Sequence, residues 1–134
     1  MAQQTLNNAE LGSVFRGKLN DNYSDLYAGV GTVNTASVTG NVTLDFSAAQ
    51  HHVLTLTGNL TLDNPTTEEI GQSGMLVLIQ DATGGRTLTT GTQFKKPGGN
   101  DPVLSTAANA VDVIPYVVTA ADTILIGTPT LDFS

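Results

Sequence analysis

The chain contains no cysteine, so neither a disulfide framework nor a thiolate metal site can hold it together; stability must come from packing or assembly. Tryptophan is also missing, and aromatic residues make up only 5% of the chain, which leaves little to stack on sugar rings. Charged residues are 13%, about half the usual share, so solubility rests on serine, threonine and asparagine. Five lysines and arginines face twelve acidic residues, and only Lys95 and Lys96 are adjacent. No basic stripe for nucleic acid can be built from these, and a net charge of −7 opposes anionic membrane surfaces. No run approaches the about 20 apolar residues of a membrane span, and Met1 to Asn8 lacks the basic start and apolar stretch of a signal peptide. These features predict a protein made in the cytoplasm and not secreted.

The 134 residues suffice for one hydrophobic core. Phe15, Leu19, Tyr23 and Leu26 recur at spacings of four, four and three, which places them on one helical face. Gly17 is costly inside a helix and Gly29 is a natural C-cap, so a helix is expected from Lys18 to Ala28. An isolated helix of that length is marginal in water, and its stripe must pack on something. After Gly29 the period becomes two: Val42, Leu44 and Phe46, then Leu54 and Leu56, then Leu60 and Leu62, alternate with threonine or aspartate. Met75 to Ile79, Val111 to Val118 and Thr123 to Ile126 are apolar on both faces, as central strands are. Turns are expected at Gly58-Asn59, Gly84-Gly85, Pro97 to Pro102 and Gly127 to Pro129.

Thr39-Gly-Asn-Val-Thr-Leu-Asp45 returns as Thr57-Gly-Asn-Leu-Thr-Leu-Asp63, which suggests paired strands in similar environments. About eight strands at short spacing with no helix between them predict an all-β fold, a β-sandwich of jelly-roll type. The organisation expected is an N-terminal attachment segment over residues 1–29 followed by a β-sandwich domain over 30–134.

Chemistry is thinly represented. His51 and His52 are adjacent, and neighbours on a strand point to opposite faces, so they cannot share a metal without a bulge. Asp45, Asp63 and Asp132 share a Thr-Leu-Asp context, and paired carboxylates can hydrolyse glycosidic bonds. Each sits where a strand ends, however, and turn chemistry explains it without catalysis. Gly84-Gly85-Arg86 lacks the Gly-Lys-Ser/Thr ending of a phosphate loop and reads as a hairpin turn. No serine lies in a nucleophile elbow. No catalytic, cofactor or metal site is expected.

The stretch Gly71-Gln-Ser-Gly-Met-Leu-Val-Leu-Ile-Gln-Asp81 is followed by Gly84-Gly-Arg-Thr-Leu-Thr89, Phe94-Lys-Lys-Pro-Gly-Gly99, Pro102-Val-Leu-Ser105 and Ala108-Asn-Ala-Val-Asp-Val113. Together they resemble a module recurrent in tailed-phage virion proteins, among tail-fibre, head-fibre and capsid-decoration components. Lys18-Leu-Asn-Asp-Asn-Tyr-Ser-Asp-Leu-Tyr27 is similar to segments near the start of phage fibres. The module often carries an aromatic just after Thr-Leu-Thr, where this chain has Thr90. The resemblance implies a homotrimeric β-sandwich on a virion, made in the host cytoplasm, with other virion proteins as partners. The chain's brevity leaves no room for a long shaft, which makes a capsid decoration or cement protein bound to the major capsid protein the first reading. Phe15, Leu19, Tyr23 and Leu26 would be its protein-interaction residues. The alternatives are a tail-fibre or tail-tip component contacting the host and, from another class, a polysaccharide-degrading enzyme. Low aromatic content weighs against the second reading and the lack of a catalytic cleft against the third.

Overall fold

The computed structural model describes Gly17, Lys18 and residues 31–134; the stripe of the expected N-terminal helix lies outside them. The described body is all-β: β1 (Val33–Val42), β2 (His51–Leu62), β3 (Ser73–Gln80), β4 (Leu88–Thr90), β5 (Phe94–Lys95), a 3-10 turn at Pro97–Gly99, β6 (Val111–Ala120) and β7 (Thr123–Ile126). The strands form one curled sheet in the order β1-β2-β3-β6-β7-β5, with β4 on β2 as well.

The all-β expectation holds, but the arrangement is not the jelly roll anticipated. Jelly rolls are antiparallel throughout. Here β1 on β2, β2 on β3, β2 on β4 and β5 on β7 are parallel; only β3 on β6 and β6 on β7 are antiparallel. The alternating pattern reports which residues face the core and is silent on strand direction, so it could not separate these topologies.

Returning from β1 to a parallel β2 uses only residues 43–50, whereas such crossovers ordinarily take a dozen or more. The nine steps from Val42 to His51 reach at most about 32 Å, scarcely the length of a straight ten-residue strand. The sheet must therefore curl, and the connector runs across its inner side. Leu44, Phe46 and Ala49 of this connector are buried while Thr43 and Asp45 are less so, and they close the core over Leu54, Leu56, Leu60, Leu62, Leu76, Leu78 and Ile114.

The two heptapeptides lie on neighbouring strands, but their equivalent residues do not pair. Ala36 pairs with Leu54 and Val38 with Leu56, eighteen positions apart, just before the repeats begin, whereas Asn41 pairs with Thr61 and Val42 with Leu62, twenty apart. The register then shifts beyond Val38 so that Gly40 faces Leu60, and Gly40 takes the φ of +67° that the irregularity requires. Gly58-Asn59 is not the turn expected: β2 runs straight through it. A Cβ at position 58 would collide with the Thr39 hydroxyl of β1, and Asn59 Oδ1 accepts a hydrogen bond from the Thr87 N–H at 3.1 Å. Those residues serve strand packing.

Nor is Gly84-Gly85 a hairpin turn. β3 and β4 lie parallel to β2 at successive positions along it, so residues 81–87 leave one line of the sheet and rejoin it. The buried Gln80 spans the gap. Its Oε1 accepts from the Arg86 N–H at 2.9 Å, and its Nε2 donates to the Arg86 carbonyl at 2.8 Å and the Ser105 carbonyl at 2.9 Å. A side-chain amide thus stands in for the missing ladder bonds, which keeps the buried backbone satisfied.

Candidate interaction surfaces

The three aspartates singled out as possible catalytic groups are used by turns and strand ends. Asp45 accepts from the Ser47 N–H at 3.0 Å and from its hydroxyl, and the hydroxyl bond chiefly holds this carboxyl below its ordinary range. Asp63 accepts from the Asn41 amide at 3.1 Å, and Asp132 sits at a φ of +55° with its N–H donating to Asp112 at 2.9 Å. His51 and His52 point to opposite faces, as adjacent strand residues must: His51 Nδ1 accepts from the Met75 N–H at 3.1 Å, while His52 is fully buried.

His52 is an unusual core residue. Its ring meets Phe46 edge-on at 5.2 Å between centroids, and neither ring nitrogen has a hydrogen-bond partner among the described residues. Burial holds its pKa below the ordinary 6.5, overriding the pull of the Asp45 carboxylate. The unfolded chain therefore takes up a proton near pH 6.5 that the folded chain refuses. Stability should be full above that pH and decline as pH falls below it, before the low-pKa carboxylates Asp45, Asp81 and Asp101 begin to titrate near pH 4. Denaturant melts at pH 7.5 and 5 should show the loss in the native chain, and His52→Leu should flatten it; equal slopes in both would rule out His52 as its source.

Two polar residues invisible as anchors in the sequence organise the far end of the body. Asp112 is buried within β6 and accepts from the Ser105 N–H and hydroxyl, both at 2.7 Å, besides the Asp132 N–H. Asp101 accepts from the Thr90 N–H at 3.0 Å and hydroxyl at 2.9 Å and from Lys96 Nζ at 2.6 Å. Burial pushes its pKa up, but Lys96 and Thr90 together hold it below the ordinary value.

These anchors shape a loop surface with two shallow grooves of about 330 and 270 Å³. They share Asp101, Pro102 and Val103 as a common ridge, and Val103 is 80% exposed. Pro97, Pro129 and Leu131 wall the larger groove, and Arg86 and Thr106 belong to the smaller. Neither groove is lined by an aromatic ring, so neither offers a stacking platform for a sugar.

A further apolar feature is the outer face of the sheet. Register places Thr35, Val53, Val77, Val113 and Thr130 in one row across five neighbouring segments. Adjacent rows pair Met75 with Pro115, Ile79 with Val111, and Val117 with both Ser73 and Leu125. These residues alternate with the buried Leu76, Leu78, Ile114, Tyr116 and Ile124, and so face away from the core. Met75 is 42% and Leu125 43% exposed. The apolar part is confined to the outward residues of β3 and β6 with Val53 and Leu125, while β2 otherwise presents His51, Thr55 and Thr57. Both-sided apolar runs were legible in the sequence; that only one side is covered within the described residues was not.

Phe15, Leu19, Tyr23 and Leu26, the interaction residues expected from the sequence, lie outside the described residues. No curated protein and no solved structure matches the chain. A family model does: that of the "Putative phage tail fibre C-terminal domain" matches residues 28–123, more than two-thirds of the sequence and nearly the whole of the sheet just described. The chain belongs to this tail-fibre domain family and is a structural component of a phage virion.

Proposed function

We propose that this chain is a non-enzymatic tail-fibre or tail-tip component, a self-associating homotrimeric β-domain that contacts the host. The family match over residues 28–123 carries the reading and favours the tail over the capsid-decoration role that led the sequence analysis. The segment 1–29, with Phe15, Leu19, Tyr23 and Leu26, is the proposed attachment element to the rest of the particle. The loop ridge at Asp101 to Val103 with its two grooves is the proposed host-facing part, because it presents varied polar and apolar chemistry on backbone anchored by Asp101 and Asp112.

Competition tests the host contact. Purified protein in excess should slow phage adsorption to sensitive cells, and Val103→Asp should weaken that effect without changing the β-sheet signal. Unchanged adsorption at saturating protein contradicts a host-contacting role. A structural role also predicts that Asp45→Asn, Asp63→Asn and Asp132→Asn each leave competition intact and that no oligosaccharide is released from host surface polysaccharide. Release abolished by one of these changes would restore the enzyme reading.

A further inference from the structure

We propose that the connector 43–50 is an acid-released latch: protonation of His52 lifts it from the inner side of the sheet while the strands stay paired. The inference does not depend on where the chain sits on the particle.

Packing makes the first argument. His52 is fully buried and neither ring nitrogen has a hydrogen-bond partner among the described residues, although buried polar atoms are nearly always partnered. The Phe46 ring of the connector packs on it, and the Ala49 carbonyl lies near enough to favour its proton slightly without forming a hydrogen bond. Such a site accepts a neutral imidazole and rejects an imidazolium. The titratable groups around it do not compensate. Asp45 on the connector favours the proton and His51 on β2 opposes it, while the Tyr116 hydroxyl on β6, beside the same Phe46 ring, has its pKa pushed up to about 12 and stays neutral. The register partners of His52 on β1 and β3, Asn34 and Leu76, carry no charge. Burial outweighs the pull of Asp45, so the ring gains its proton by reaching water.

Anchoring makes the second argument and selects the part that moves. β2, which carries His52, is bonded to β1 on one side and to β3 and β4 on the other. Residues 43–50 belong to no strand. The Phe46 N–H donates to the Thr67 hydroxyl at 2.9 Å, and its carbonyl accepts from the Gln72 amide at 2.8 Å. The Gln50 carbonyl accepts from the Tyr116 hydroxyl, and its side-chain amide donates to the Ser73 carbonyl at 2.7 Å. These few bonds, each with a side chain on one end, give way before two ladders do. Because the closed form holds the histidine pKa below its ordinary value, closure is complete above pH 6.5. Below that pH the share of the open form rises by up to about tenfold per unit until the closed form also takes the proton. Leu44, Phe46 and Ala49 then leave the core together.

Absence of cysteine makes the test clean, since one introduced thiol reports only its own surroundings. Full-length Ala49→Cys and, beside the Gln80 end of β3, Ala110→Cys each replace a buried alanine. Labelling by dithiodipyridine, taken relative to the same variant unfolded in urea at each pH, should be blocked in both at pH 7.5. As pH falls from 6.5 to 5 it should rise at 49 by up to about tenfold per unit and stay blocked at 110. His52→Leu in the Ala49→Cys chain should abolish the rise. Asp45→Asn, which removes the attraction that favours the proton in the closed form, should carry the rise to lower pH. No rise at 49, or an equal rise at 49 and 110, overturns the proposal, the second because the whole domain then unfolds. A rise that survives His52→Leu overturns it as well. If the leucine variant fails to fold, Asp45→Asn decides, and a rise that levels off where the native one does counts against the latch.

Discussion

Replacing Phe46 by alanine is expected to lower the unfolding free energy by about 3–5 kcal/mol, the usual cost of deleting a fully buried aromatic ring. Phe46 sits on the connector rather than in the sheet, but it is only 1% exposed and meets both His52 and Tyr116 edge-on at 5.2 Å. Tyr116 in turn donates its hydroxyl to the Gln50 carbonyl, and burial pushes its pKa up to about 12. Removing the ring therefore opens a cavity where the short crossover is fastened to β2 and β6. Urea melts followed by circular dichroism should show the midpoint shift, and Phe46→Leu should recover more than half of it. A loss below about 1 kcal/mol for the alanine variant would mean that the connector does not close the core.

Asp112→Ala is expected to cost about 3 kcal/mol, because it strands two backbone N–H donors, those of Ser105 and Asp132, together with the Ser105 hydroxyl. The effect should be local as well as global. Thr130 exchanges backbone bonds with Val113 at 2.9 and 3.0 Å, and the Phe133 N–H reaches the Val111 carbonyl at 2.8 Å, so the C-terminal segment lies along β6 beside this carboxylate. Limited proteolysis should cut near residues 128–133 faster in the variant, whereas Asp112→Asn, which keeps an acceptor, should fall between the two. Equal cutting rates in native and alanine chains would show that β6 holds the segment without Asp112.

Side-chain facing was the part of this fold most legible in the sequence. Alternation put Val42, Leu44, Phe46, Leu54, Leu56, Leu60 and Leu62 on the inside, and all are buried except Val42, which packs half-buried against the core. Strand existence followed less well: Leu44 and Phe46 alternate like a strand but belong to a connector, because a curled sheet lets an extended segment bury alternate residues without entering a ladder. Direction was not legible, and partner only in the heptapeptide echo, which suggested that β1 and β2 pair but gave neither their parallel sense nor their register. Among candidate sites, the His51-His52 geometry and the turn role of Asp45 were accessible from local rules. Gln80 and Asp112 were not, since Gln80 bonds to Ser105 and Asp112 to Asp132, twenty or more positions away, and nothing in their own neighbourhoods marks them as anchors. The outer face was half visible: the strands announced two apolar sides, and only the fold showed which one has no cover among the described residues.

The central claim is that this chain serves on the tail as a fibre component, and locating it on the particle tests that most directly. Virions should be imaged by electron microscopy after labelling with an antibody raised against the purified protein. The account predicts label on the tail, at fibres or tip, with the head bare. Dense label over the head with none on the tail would contradict it and return the chain to capsid decoration.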